Sequence, residues 1–376
     1  MKYPLLPYSQ LVFDMLKTNS NVYYTRFGLR VDKREVEVGR LKMAFEQVLR
    51  NHPVFFMHVD EEGMQEYKPD ADIWHGQYHS VDFCDEGETV RIDIAYNRIL
   101  GDALSGNVVA ENLSRAYQGL PLLPDHYWDY LKQVERDKQL SRYAADKKWL
   151  EHEFGTISCP VHPHTDVALD IQCVPVEGTM LEDYSDLKER IVALEEKQLL
   201  PLTAVFLLAS ALAIMEYNGA NEAALTWAYD GRETQDEQHI YGSLHRDIPF
   251  KIKAKGESLK LKDELIKEAR KQYRSGIAHS SYPLTLTKPH MEIWNYALNV
   301  LVQPVPETTL QTFPFAFKMV LPSAEDPKVA YALLDVEIYD EEALQINYRY
   351  SATHYKPESI RKFAALVRKY VEWLIV

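Results

Sequence analysis

An interruption near the middle of the chain restricts its fold more than any other feature. Charged sequence with helical spacing fills 125–154, and the next stretch, GTISCPVHPHTDVALD over 155–170, loses that periodicity and carries Pro160 and Pro163. Prolines at such spacing punctuate regular structure rather than continue it. Upstream, VYYTRFGLRV over 22–31 reads as a strand, because β-branched and aromatic residues fit a pleated surface. Val38, Leu41, Ala44, Phe45, Val48 and Leu49 then recur at helical spacing over 36–51, Pro53 stops them, and 55–59 reads as a strand. Val90, Ile92, Ile94 and Tyr96 alternate with Arg91, Asp93 and Ala95 in a further strand, which runs through 97–105 into a helix ending near Gln118. Downstream the pattern begins again. A strand is expected near 171–174, helices over 184–196 and 202–218, strands over 223–229 and 247–252, and a helix over 259–274. Strands follow near 300, 315–321, 330–339 and 343–350, and a last helix over 357–374 places Ile360, Phe363, Ala364, Val367, Val371 and Leu374 on one face. Neither half has a regular βαβ alternation. The predicted class is therefore α+β, with two sandwich lobes, 1–160 and 161–376, joined near 155–170.

Length and charge narrow the function. A chain of 376 residues exceeds what one ordinary core serves, and 46% apolar with 26% charged residues excludes a disordered chain. Forty-two Lys and Arg against 56 Asp and Glu leave a net charge of −14. Such a field repels phosphate backbones and anionic membrane surfaces, so neither nucleic acid nor a membrane is an expected partner. The longest uncharged run, 199–215, holds Pro201, Thr203 and Ser210 and reads as a buried helix starting near Pro201 rather than a membrane span. Cys84, Cys159 and Cys173 form no close pair, which fits neither a disulfide framework nor a zinc site and suggests a reducing, cytoplasmic compartment. The opening MKYPLLPYSQLVF lacks the basic start, long apolar stretch and cleavage site of a signal peptide.

The histidines outside the strand-to-helix junction take plain readings. His162 and His164 have no carboxylate or Cys at zinc spacing, so a solvated loop and no metal are expected there. His52, just before Pro53, reads as a cation complementing the end of a helix. His239 and His245 are secondary candidates for a base. The chain has no Walker-type phosphate loop, Gly-x-Ser-x-Gly elbow or His-Glu-x-x-His motif, and its six Trp and 24 Tyr read as core and cleft lining.

In order and spacing these segments resemble the condensation domains of nonribosomal peptide synthetases, relatives of chloramphenicol acetyltransferase. PLLPYSQ is similar to the family's first motif, and NVYYTRFGLRVDKREVEVGRLKMAFEQVLRNHPVFF to its first strand and helix with the closing His-Pro. YWDYLKQVERDKQ with DKKWLEHEF resembles the aromatic helix, while WAYDGRE and YGSLHRDIPFKI resemble the later Gly-Arg and Gly…Asn-Thr-Leu-Pro-Leu-Arg motifs. The likeness runs almost end to end, in a chain shorter than a typical member. It implies two chloramphenicol-acetyltransferase-like lobes in a V-shaped pseudo-dimer, the second lending an element to the first, with a tunnel between them. No cofactor would bind directly. The phosphopantetheine arm of a peptidyl or acyl carrier protein would enter, and carrier proteins or neighbouring synthetase domains would be the partners. Met1 opening on the first motif and a helix ending at Val376 fit both a free-standing protein and one domain of a synthetase.

The family signature, His-His-x-x-x-Asp-Gly-x-Ser, aligns with Asn97-Arg98-Ile99-Leu100-Gly101-Asp102-Ala103-Leu104-Ser105. Asp102 and Ser105 match; Asn97 and Arg98 replace both histidines, the second of which positions or deprotonates the attacking amine in the family. A guanidinium keeps its proton at neutral pH and can bind an anion or steady developing negative charge, but it cannot take a proton as imidazole does. Heterocyclisation domains carry Asp-x-x-x-x-Asp-x-x-Ser, whose first Asp is missing here. The non-catalytic recruitment domains of glycopeptide synthetases carry His-Arg-x-x-x-Asp-Asp, which shares Arg98 and Asp102 but not the first His or second Asp.

Two readings follow. In one the chain is a docking module for a carrier protein or tailoring enzyme. In the other it is a carrier-dependent acyltransferase with an altered site using Arg98, and Asn97, Arg98 and Ser105 occupy the catalytic positions. The shared Arg favours docking. In either case the resemblance gives Asp102 a structural role, paired with Arg232 or, second, Arg246. Ser105 reads equally as a helix-start hydrogen-bonder or a substrate contact, and Gly101 and Gly106 as servants of a tight turn. Arg98 is expected to project into the tunnel, where Asp230, Glu233 or a bound anion would offset the cost of burying its charge.

Overall fold

The computed structural model describes residues 2–17, 24–169, 176–254, 262–287, 297–302, 318–320 and 332–376. In chain order the first elements are β1 (Lys2–Pro4), α1 (Pro7–Leu16), β2 (Tyr24–Asp32), α2 (Val38–Asn51), β3 (Met57–Val59), β4 (Met64–Tyr67), β5 (His79–Asp85), β6 (Thr89–Asn97), α3 (Ala103–Gln118), α4 (Tyr127–Asp137) and α5 (Ser141–Phe154). They are followed by β7 (Glu177–Asp183), α6 (Lys188–Gln198), α7 (Leu202–Asn218), β8 (Glu222–Tyr229), β9 (Arg246–Lys253) and α8 (Lys262–Ala278). The last are β10 (Asn299–Val302), β11 (Lys318–Val320), β12 (Leu334–Asp340), β13 (Leu344–Ser351) and α9 (Pro357–Ile375). Strands and helices are mixed without βαβ repetition, so the α+β class stands. The strand expected at 171–174 lies outside the described residues.

The described residues form two compact units. The first gathers those up to Gln139 with Asp230–His245 and β11. Its antiparallel sheet has the order β11-β2-β6-β5, and a small sheet has the order β1-β4-β3. In β6, Val90 and Ile92 are buried, whereas Arg91 and Asp93 face the other side and pair with each other and, through Arg91, with Glu86. That alternation fixes which way the strand faces. The buried face of α2, Leu41, Ala44, Phe45, Val48 and Leu49, matches the helical spacing read from the sequence. Pro53 begins a single tight turn, Pro53–Phe56, so the strand expected over 55–59 is only three residues long.

The second unit contains the described residues of 140–229, 246–303 and 327–376. Its six strands lie in the order β7-β13-β12-β10-β8-β9. The pairs β10–β12 and β10–β8 are parallel and the others antiparallel. Helix α7 is the uncharged run, entered through Pro201 and buried from Ala204 to Met215. It ends where Gly219 takes a left-handed φ of 65°, a conformation open to Gly without steric cost. No single helix among the described residues is long and apolar enough to cross a membrane.

The division along the chain falls between Gln139 and Leu140, upstream of the 155–170 stretch in which a junction was expected. Leu150 and Phe154 of α5 pack with Val161, Ala224, Leu284 and Ala297 of the second unit. Backbone N–H groups of Ala224 and Leu298 donate to the carbonyls of Pro160 and Val161. Main-chain bonds thus anchor this stretch within the second unit. His162 is likewise not a solvated loop residue: its half-buried ring meets the Pro163 carbonyl at 2.7 Å and the Tyr355 hydroxyl at 3.3 Å.

Candidate functional site

Strand β6 delivers Asn97, a turn of three residues follows, and Asp102 starts α3 as its N-cap. Asn97 is fully buried. Its Oδ1 accepts from the Ile99 N–H (3.0 Å), and its own N–H donates to the Tyr78 carbonyl (2.8 Å). The Asn97 side chain therefore shapes the turn. Arg98, half-buried, sits at the start of that turn.

Asp102 is a hub. The Ser105 N–H and hydroxyl donate to its Oδ1 at 3.1 and 3.0 Å, and the Asp102 N–H donates back to Ser105 Oγ at 3.1 Å, a reciprocal cap that satisfies orphan donors at the helix start. Arg232 reaches Oδ2 through Nη1 (3.0 Å) and Oδ1 through Nη2 (3.1 Å). The Leu244 and His245 N–H groups add to Oδ2 at 3.0 and 3.3 Å. The pair is deeply buried, with side-chain exposures of 1% for Arg232 and 6% for Asp102. Burial pushes the Asp102 carboxyl up, but the guanidinium and Ser105 outweigh it and leave it below the usual carboxylate range. Arg232 also donates to Asp230 Oδ1 (2.8 Å) and to the Ile240 and Gly242 carbonyls.

Ser105 is buried completely, and its hydroxyl oxygen also accepts from the Gly242 N–H (3.2 Å) and lies 3.0 Å from the Gly242 carbonyl, which shares the single hydroxyl proton with Asp102 Oδ1. It is a cap and a tether, with no face left for substrate. Ser105→Ala is expected to lower folding stability by about 1–2 kcal/mol, measured by urea denaturation. Gly101 does serve the turn: a Cβ there would stand 2.8 Å from Ser105 Oγ and 2.9 Å from the Tyr241 ring. Gly106 does not, since a Cβ there would meet nothing within 4 Å.

Arg246, the second partner considered for Asp102, instead donates to Ser280 Oγ at 3.0 Å within the second unit. Asp230, considered for Arg98, gives its Oδ1 to Arg232. His52 is not a free helix-end cation. Its ring is wholly buried, with Nδ1 2.7 Å from Asp125 Oδ2 and Nε2 3.3 Å from Asn112 Nδ2. Asp125 also accepts from the N–H groups of Tyr127 (2.8 Å) and Tyr241 (3.0 Å). Asp125 was missed in the sequence; a carboxylate two residues ahead of α4 was the available signal. Asp102, Ser105 and Asp125 thus fasten the segment 230–245, which connects β8 to β9, inside the first unit. His239 ends a short turn, Glu237–His239. His245 stands edge-on to Tyr8, ring centroids 4.1 Å apart. Among the described residues no group of three His, Cys, Asp or Glu could hold a metal.

The family model for the condensation domain matches residues 94–375, which contain this signature turn and the 230–245 segment. The chain belongs to the condensation-domain family. No curated protein matches this member. Among solved structures it is similar to the epimerization domain from the third module of tyrocidine synthetase B, at 16% identity and TM-score 0.77, covering all of this chain and 97% of that one. The cyclization-docking bidomain of EpoB from Sorangium cellulosum gives 15% identity and TM-score 0.77 over all of this chain and 84% of the other. The X-domain from teicoplanin biosynthesis gives 15% and 0.77 over 99% and 94%. At these identities the likeness is one of fold, and the fold is that of chloramphenicol acetyltransferase relatives.

Proposed function

We propose that this condensation-family chain is a docking module of nonribosomal peptide biosynthesis: it receives a carrier protein with its phosphopantetheine arm, or a tailoring enzyme, and forms no amide bond itself. One observation carries the reading. The signature turn offers no proton acceptor: Asn97 is buried in the turn's own hydrogen bonding, Arg98 holds its proton, and Asp102 and Ser105 are engaged by Arg232, the α3 cap and the 230–245 segment. General-base assistance is worth roughly 10²–10⁴ in rate where it operates. An unassisted turn forms product correspondingly slowly.

The test offers the purified protein acyl-loaded and aminoacyl-loaded carriers and follows their intact masses. Carrier binding with no condensed product above the protein-free control is the expected result. Product that disappears in Arg98→Ala would overturn it in favour of a carrier-dependent acyltransferase, in which oriented thioester substrates supply the rate and Arg98 steadies developing negative charge.

A further inference from the structure

An open sheet ends in strands whose outer main-chain groups lack a neighbour, and native proteins blunt such edges with proline, lysine, a bulge or a very short strand. The six-stranded sheet ends in β9 on one side and β7 on the other. Strand β9, RDIPFKIK, is blunted: Pro249 has no N–H to donate, and Lys251 and Lys253 place charge along it. Strand β7, EGTMLED, has no proline and no cation. It pairs with β13 over seven consecutive positions, from Asp183 opposite Gln345 to Glu177 opposite Ser351, without a bulge. Among the described residues no main-chain group pairs with its outer edge. Arg368 closes one end by donating to the Asp183 carbonyl at 2.8 Å, so the open run is 177–182.

The side chains of β7 divide by face. Gly178, Met180 and Glu182 stand opposite Tyr350, Tyr348 and Ile346, whose side chains belong to the core. Thr179 and Leu181 face the other way, beside Arg349 and Asn347, and Leu181 is 57% exposed. Glu177, Glu182 and Asp183 give the strand three carboxylates and no positive charge, in a chain of net charge −14. Antiparallel pairing of β7 with a second copy about Met180 sets Glu177 against Asp183 of the other copy at both ends, and like charges directly opposed destabilise a strand pair. A strand with cations at its ends and an apolar residue beside Leu181 meets the complementary condition.

We propose that the outer edge of β7 is a docking site for an extended basic segment of another polypeptide, which adds a further strand antiparallel to β7, with a cation at each end and an apolar side chain against Leu181. Main-chain hydrogen bonds supply the affinity, and the end charges with Leu181 set the register. The edge belongs to the second unit and the signature turn to the first, so the proposal stands whether or not the carrier-docking reading does.

The test measures binding of the full chain to the peptide acetyl-Lys-Lys-Val-Thr-Val-Thr-Lys-amide and to two versions N-methylated on alternate residues, one for each edge of the peptide. One methylated version is expected to bind like the parent peptide and the other about tenfold more weakly, through the loss of its interstrand hydrogen bonds. With the parent peptide bound, amides of β7 should gain hydrogen-exchange protection. Leu181→Lys, a change at an exposed position, should weaken the parent peptide about fivefold. Equal affinity for all three peptides would mean that charge alone attracts them and would overturn the proposal, as would no binding of the parent peptide or protection that appears elsewhere than in β7. Dimers in sedimentation that dissociate in Leu181→Lys would overturn it in favour of a second copy. The comparison of peptides on the unsubstituted protein stands whether or not the variant folds.

Discussion

Asp102→Ala is expected to lower the stability of the folded protein by about 3–5 kcal/mol, the usual cost of leaving one partner of a buried ion pair unpaired. Arg232 would keep its charge at 1% side-chain exposure with only Asp230 opposite it, and the Leu244, His245 and Ser105 N–H groups would lose their acceptor. Removing both partners, in Asp102→Ala with Arg232→Met, should cost less than the sum of the single changes, because no fully buried charge is then left unpaired and Asp230, which loses Arg232, is one-third exposed to water. Urea midpoints for the four proteins measure this. A single variant melting like the parent would place Asp102 in water.

The same pair sets a pH dependence. In the folded chain the Asp102 carboxyl lies below its ordinary value, so the unfolded state binds its proton more readily. Its contribution is complete above the unfolded value of about 3.9 and is lost as pH falls through the folded value. Asp230 acts the other way: its carboxyl is raised, so its ionised form costs stability above the folded value, and acid relieves that cost. Asp102→Ala should flatten the acid limb of a stability profile, whereas Asp230→Asn should steepen it.

The second large effect is expected at Asp125. This carboxylate is fully buried and accepts from His52, Tyr127 and Tyr241, so Asp125→Ala strands one imidazole and two backbone donors. At about 1–3 kcal/mol for each buried group left unmet, a loss of about 3 kcal/mol or more follows. Hydrogen exchange provides a readout that separates anchoring from general damage. The Tyr241 amide should lose protection well before amides of α7, which lies in the other unit. Uniform loss across both units would mean that Asp125 does not anchor 230–245 locally.

These two anchors show where sequence reading ends. Asp102 and Ser105 are three residues apart at the close of an alternating strand, a spacing that already encodes the cap of α3, and local hydrogen bonding delivers it. The uncharged run beginning after Pro201 became α7, buried along most of its length, for the same local reason. Strands β4 and β5 escaped notice because β4 has only four residues and β5 (HSVDFCD) alternates weakly. The main-chain bonds from Ala224 and Leu298 to Pro160 and Val161 left no side-chain period to read in the 155–170 stretch. Arg232 stood out through its Gly-Arg motif, but nothing near it announces the Ile240 and Gly242 carbonyls or the second carboxylate at Asp230.

By itself, then, the sequence determined the long helices, the longer alternating strands and the strand–turn–helix carrying Asn97 to Ser105, because periodicity and capping are local properties. Only the tertiary structure decided that the 230–245 segment lies in the first unit, that His52 leans on Asp125, and that Asp102 is sealed while Asp230 stays open. Those outcomes depend on groups 73 to 143 positions apart in the chain. Which of two carboxylates on one guanidinium is left facing solvent is set by packing around both, and no window of sequence contains that information.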